Sequence, residues 1–150
     1  MIDIRTCFTY AYSAGTVDDF FQDITTDAAS TNYIDLDANG INISGGSKPP
    51  WLIVRVGTVF ATLTSLEILL QTDSDSGFAT NLKEILTWHF LTATMTAGAL
   101  LINQPLGNWK LQQYVRLYFN SVGSTGTGSL CAYLSDGPAE AETDIDNVNL

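Results

Sequence analysis

Gln112-Gln113-Tyr114-Val115-Arg116-Leu117-Tyr118-Phe119-Asn120 carries the cleanest alternation in the chain. On an extended backbone, Val115, Leu117 and Phe119 fall on one side. Tyr114, Arg116 and Tyr118 fall on the other. A period of two in β-branched and aromatic residues reads as a strand with one face on a core. Downstream, Gly123-Ser124-Thr125-Gly126-Thr127-Gly128 predicts a flexible hairpin loop, and Ser129–Leu134 a last strand.

The same pattern continues upstream. Trp51-Leu52-Ile53-Val54-Arg55-Val56 is β-branched and aromatic, with Leu52, Val54 and Val56 on one face. Thr64–Thr72 alternates Leu66, Ile68 and Leu70 against Ser65, Glu67 and Leu69. Asp73-Ser74-Asp75-Ser76-Gly77 supplies a turn. Leu82–Phe90 fits both a helical and a strand period, and is predicted as a strand after a short helical turn. Ala99–Ile102 predicts a buried strand closed by Gln104-Pro105-Leu106-Gly107. Residues 10–31 read as a loop or a surface-docked excursion, and residues 2–9 as a first strand or an extended arm. Strands separated by Gly/Pro turns, with no long helix, predict one all-β domain, a jelly roll or β-sandwich.

The 150 residues suit a single domain. Sixteen acids stand against six bases, a net charge of −10, which repels phosphate backbones and argues against nucleic-acid binding. Asp136–Leu150 holds five acids and no base, and reads as an exposed acidic tail. The apolar runs are too short to span a bilayer. Met1-Ile2-Asp3-Ile4 has no basic or apolar signal region, so a soluble protein made in a cytoplasm is expected. Cys7 and Cys131 are the only cysteines and are expected as buried free thiols.

Chemistry-bearing constellations are few. His89 is the sole histidine, and no Gly-x-Ser-x-Gly elbow accompanies it, so it reads as a partly buried strand residue. Asp35-x-Asp37-x-Asn39-Gly40 opens like a calcium loop, but Gly46 stands where a bidentate glutamate is required. Cys7, His89 and Cys131 lack the paired spacing of a zinc site. The expectation is no enzyme, no cofactor and no metal. Trp51, Trp88, Trp109 and six tyrosines fit a core, a protein interface or a sugar-stacking platform.

From about residue 28 to 138 the chain resembles the small jelly-roll capsid cement, or decoration, proteins of podovirus-type tailed bacteriophages. The carrying segments are Ala28–Leu36, Pro50–Val56, Leu70–Phe78, Ala97–Ile102, Gln113–Phe119 and Leu130–Asp136. In order they look like "ASTNxIDLG", a central apolar strand, "LQTSxDxxF", "AGxxL", "RYLRLxY" and "GxxxAxL". Residues 10–27 and the tail after Pro138 extend beyond that pattern. The resemblance implies a jelly-roll fold and a homo-oligomer, with dimer and trimer both open. It also implies binding to the major capsid protein on the outer surface of a virion, reinforcing a shell that holds DNA under pressure.

The expected organisation is an N-terminal arm and excursion (1–27), a sandwich (28–138) and an acidic tail (139–150). Contact candidates are Ile2, Ile4 and Phe8 in the arm, and Ile145, Val148 and Leu150 in the tail. Exposed arms can add strands to a neighbour's sheet edge. The competing reading is a carbohydrate-binding module of a virion or secreted protein. A third is a glycan-cleaving β enzyme, which needs two facing carboxylates across a cleft.

Overall fold

The computed structural model describes residues 6–13, 16–37, 49–107, 110–123 and 127–139. The chain forms β1 (Ala11–Ser13), β2 (Thr16–Asp19), β3 (Gln22–Asp23), β4 (Ala28–Ala29) and β5 (Ile34–Asp35). These are followed by β6 (Trp51–Val56), β7 (Leu63–Asp73) and β8 (Lys83–Leu91). A 3-10 turn (Thr92–Thr94) leads to β9 (Leu100–Pro105), β10 (Tyr114–Gly123) and β11 (Ser129–Ser135). All pairings are antiparallel.

Two sheets make a β-sandwich. The larger runs β4-β10-β7-β8, with β5 also on β10, and the smaller runs β3-β11-β6-β9. From β6 onward only β7 to β8 stays within one sheet. Every other step crosses between sheets, as in Greek-key and jelly-roll sandwiches.

The alternation read from the sequence builds the core. Val115, Leu117 and Phe119 meet Leu66, Ile68 and Leu70 on the inner face of the larger sheet. Leu52, Val54, Val56, Leu130, Ala132 and Leu134 come from the smaller one. Strand β6 is buried on both faces, since Ile53 and Arg55 are also covered. The ambiguous stretch 82–90 is a strand in register with β7, from Thr72↔Lys83 to Ser65↔Leu91.

Three expectations change. Residues 10–31 are not a loop: β1 and β2 pair as a hairpin, β3 joins β11, and β4 joins β10. The sandwich also starts before residue 28. Cys7 bridges Tyr133, the Phe8 N–H donates to the Ala132 carbonyl at 2.8 Å, and the Ala132 N–H donates to Thr9 Oγ1 at 2.8 Å. Finally, the glycine-rich segment after β10 is a crossing between sheets, not a hairpin turn. At its far end, a Cβ on Gly128 would stand 2.1 Å from the Phe60 ring, so only glycine fits there. Gly123, at φ +103, takes a conformation that other residues resist.

Candidate interaction surface

Alternation on β7 sends Ser65, Glu67, Leu69 and Gln71 to the outer face of the larger sheet. Register then lines up rows across three strands. Gln71 lies between Arg116 and Glu84, Leu69 between Tyr118 and Thr87, and Glu67 between Asn120 and His89. The first row is hydrogen-bonded: Arg116 Nε donates to Gln71 Oε1 at 2.9 Å, and Gln71 Nε2 to Glu84 Oε1 at 3.4 Å. In the third row, Asn120 Nδ2 donates to Glu67 Oε2 at 2.8 Å. His89 Nδ1 sits 3.9 Å from Glu67 Oε1 with its side chain 51% exposed, so the expected partial burial does not hold. As an edge-strand residue on the outer face, it has few neighbours to cover it.

The loop after β7 organises one end of this face. Asp73 is fully buried and accepts backbone N–H bonds from Asp75 (3.0 Å), Thr80 (3.3 Å) and Asn81 (3.1 Å). Burial pushes its carboxyl up, but those backbone donors outweigh that effect and hold it below the usual aspartate range. The Asp-x-Asp-x-Gly spacing is therefore turn chemistry: Asp73 caps Asp75, and Asp75 Oδ2 accepts the Gly77 N–H at 3.0 Å. In the calcium-like stretch, Asp35 Oδ1 likewise accepts the Asp37 N–H at 3.1 Å, and residues 38–46 lie outside the described set.

The turn delivers Phe78, at φ 54, onto the sheet. The Arg116 guanidinium lies 4.3 Å from its ring centroid, a cation–π contact. Tyr33, 49% exposed, meets Phe78 at 6.1 Å and Tyr114 edge-on at 5.5 Å. These aromatics were not singled out in the sequence as a group. They come from three distant segments, and Phe78 reaches them only through a left-handed backbone.

The two sheet edges next to this face differ. Strand β8 is the last strand of its sheet and contains no proline. Its Leu86, Trp88 and Phe90 are half-buried against the core, while Leu82 and Leu91 at its two ends are 44% and 57% exposed. Strand β9 ends in Pro105, which has no N–H to offer. Its Asn103 side chain clamps the segment after β11 like a peptide group. Nδ2 donates to the Ala139 carbonyl at 3.0 Å, and Oδ1 accepts the Ala139 N–H at 3.1 Å.

Of the contact candidates from sequence, Phe8 is corrected. It is fully buried in the core, because its neighbours pair with β11 and turn its ring inward. Ile2, Ile4, Ile145, Val148 and Leu150 lie outside the described residues. Trp51 and Trp88 are half-buried, and Trp109 lies outside the described set. Cys7 and Cys131 are both buried free thiols. Burial pushes the Cys7 thiol up, against two hydrogen bonds with Thr9 that pull it down. Among the described residues, no group of three or more His, Cys, Asp and Glu is placed to hold a metal ion, and no helix is long and apolar enough to cross a membrane.

The fold defines the class: an antiparallel, two-sheet β-sandwich, with β8 and β9 as terminal strands on its two sheets. Within that class the chain belongs to the Bbp16 family, whose sequence profile matches residues 20–134. That match begins just before β3 and ends inside β11, so it spans both sheets. No curated protein matches the chain.

Proposed function

We propose that this chain is a capsid cement protein. It binds the outer surface of the major capsid shell of a tailed phage as a homo-oligomer, and stabilises the shell against internal DNA pressure without catalysis. The observation that supports this most is the open β8 edge. A nine-residue strand preceded by exposed Leu82 and ending in exposed Leu91, with Leu86, Trp88 and Phe90 half-covered, is a template for pairing with another chain. Net charge of −10 favours the outer side of a DNA-filled shell. Several modest contacts per oligomer add through effective concentration, so the oligomer stays bound where a single subunit dissociates.

Purified protein mixed with heads of the same phage tests this. Saturable co-sedimentation, with density on the outer surface in a cryo-EM map, is expected. A monomer that ignores heads at every concentration ends the reading. Deleting residues 140–150, which leaves the Asn103–Ala139 clamp in place, should lower occupancy without unfolding the domain. Unchanged occupancy discards the tail as a contact.

A further inference from the structure

Just beyond β11 the chain carries its one Asp-Gly pair, Asp136-Gly137. Ser135 is the last residue paired with β6, so the pair lies in a bend outside the ladder. Asp136 is exposed, and its carboxyl has no hydrogen bond or ion pair among the described residues. Asp27, Asp35, Asp73 and Asp75 differ, because each of their carboxyls accepts a hydrogen bond. The Gly137 N–H has one long bond, to Ser135 Oγ at 3.5 Å. A Cβ built on Gly137 would meet nothing within 4 Å.

A free carboxyl followed by an unhindered glycine N–H sets up one backbone rearrangement. Glycine has no side chain to keep its nitrogen away from the preceding carboxyl, and its backbone turns freely. We propose that Asp136 isomerises to isoaspartate, with water as the only co-reactant, and that the conversion loosens the Asn103–Ala139 clamp. The Gly137 nitrogen attacks Asp136 Cγ. An N–Cγ bond forms, a Cγ–O bond breaks, and the hydroxyl leaves with the amide proton as water. Water then opens the resulting succinimide ring. Addition at Cγ restores aspartate. Addition at the main-chain carbonyl breaks the bond from that carbon to nitrogen, and the chain then runs through Cβ and Cγ. One water leaves, one enters, and nothing is oxidised.

The product lengthens the main chain by one carbon between two held points. Ser135 is paired with Trp51, and Ala139 is held at its N–H and its carbonyl by Asn103. Gly137 and Pro138 alone separate the added carbon from that clamp, and the Pro138 ring fixes φ. One carbon adds about 1.5 Å, enough to carry a hydrogen bond out of range. None of this depends on the cement reading, since the reaction needs only the chain itself.

The test ages the full chain in mildly acidic heavy-oxygen water at body temperature. Isoaspartate is read by enzymatic carboxyl methylation and located by tandem mass spectrometry. Heavy oxygen and methylation are expected at Asp136, and neither at Asp35, Asp73 or Asp75. Asn39-Gly40, the one Asn-Gly pair, is told apart by the mass change of deamidation. Gly137→Ala should slow the conversion roughly tenfold, and its Cβ enters open space, so the variant folds. Asp136→Glu, which would need a larger ring, should show none. Amide exchange at Ala139 should be faster in converted chains than in fresh ones, and Asn103→Ala supplies the value for an open clamp. No heavy oxygen at Asp136 after weeks, or an equal rate in Gly137→Ala, would overturn the site. Unchanged Ala139 exchange in converted chains would overturn the loosening.

Discussion

Strands β8 and β9 close the same ends of their two sheets but meet solvent differently. On β9, Pro105 withholds a donor and the Asn103 side chain holds Ala139. β8 pairs with no described strand on its free side, and Leu86, Trp88 and Phe90 on its inner face are half-buried against the core. Natural sheets guard their edges against strand addition with prolines, charges and covering segments. The β8 edge is therefore where the proposed pairing with another chain would take place. Lys83 is the only permanent positive charge on β8, and it stands at one end.

The comparison can be broken or sharpened by substitution. The largest effect is expected behind both edges. Phe8→Ala should cost about 3–5 kcal/mol in urea unfolding, as for any buried phenylalanine. A stable Phe8→Ala variant that fails only in assembly would restore Phe8 to an exposed arm. On β8, Trp88→Ala should cost less, about 2–3 kcal/mol, because its side chain is only partly buried against the core.

Next in size is the pH dependence of the turn that launches β8. Its buried Asp73 titrates below the ordinary aspartate value in the folded state. A depressed folded pKa stabilises the protein fully above the unfolded value of about 3.9, and that stability is lost as pH falls through the folded value. Urea midpoints measured from pH 6 to pH 2 should fall at the acid end. Asp73→Asn should be less stable at neutral pH and should flatten that fall.

Asn103→Ala removes two hydrogen bonds and should cost about 1 kcal/mol. It should also hasten proteolysis just beyond Pro138. The smallest stability effect belongs to Leu82→Lys with Leu91→Lys, within about 0.5 kcal/mol for two exposed positions. That pair should nevertheless abolish self-association in sedimentation velocity. If it does not, the open edge is not the seam.

Much of the sandwich was legible in the sequence. Strands β7 and β10 follow a period of two because one face of each lies on the core, whereas β6, buried on both faces, was legible from its β-branched and aromatic run. Of the early strands, β3 and β4 were not legible. They have two residues each, too few to show a period, and their pairing comes from β11 and β10 more than eighty residues away. Gly123 to Gly128 looked like a hairpin because glycine signals a turn without saying which sheet receives the next strand. The β8 edge was legible as a strand but not as an edge, since strand order is not written in local pattern. The aromatic corner was hidden for the same reason.

The contact between residues 7–9 and 132–133 joins positions 123 to 126 apart in sequence. A chain emerging from a ribosome cannot close this core until β11 has been made. Loops that long are entropically slow to close, so refolding should be leisurely and late for a domain this small. Until β11 arrives, Phe8 has no place to go, and chaperones have a window in which to meet it.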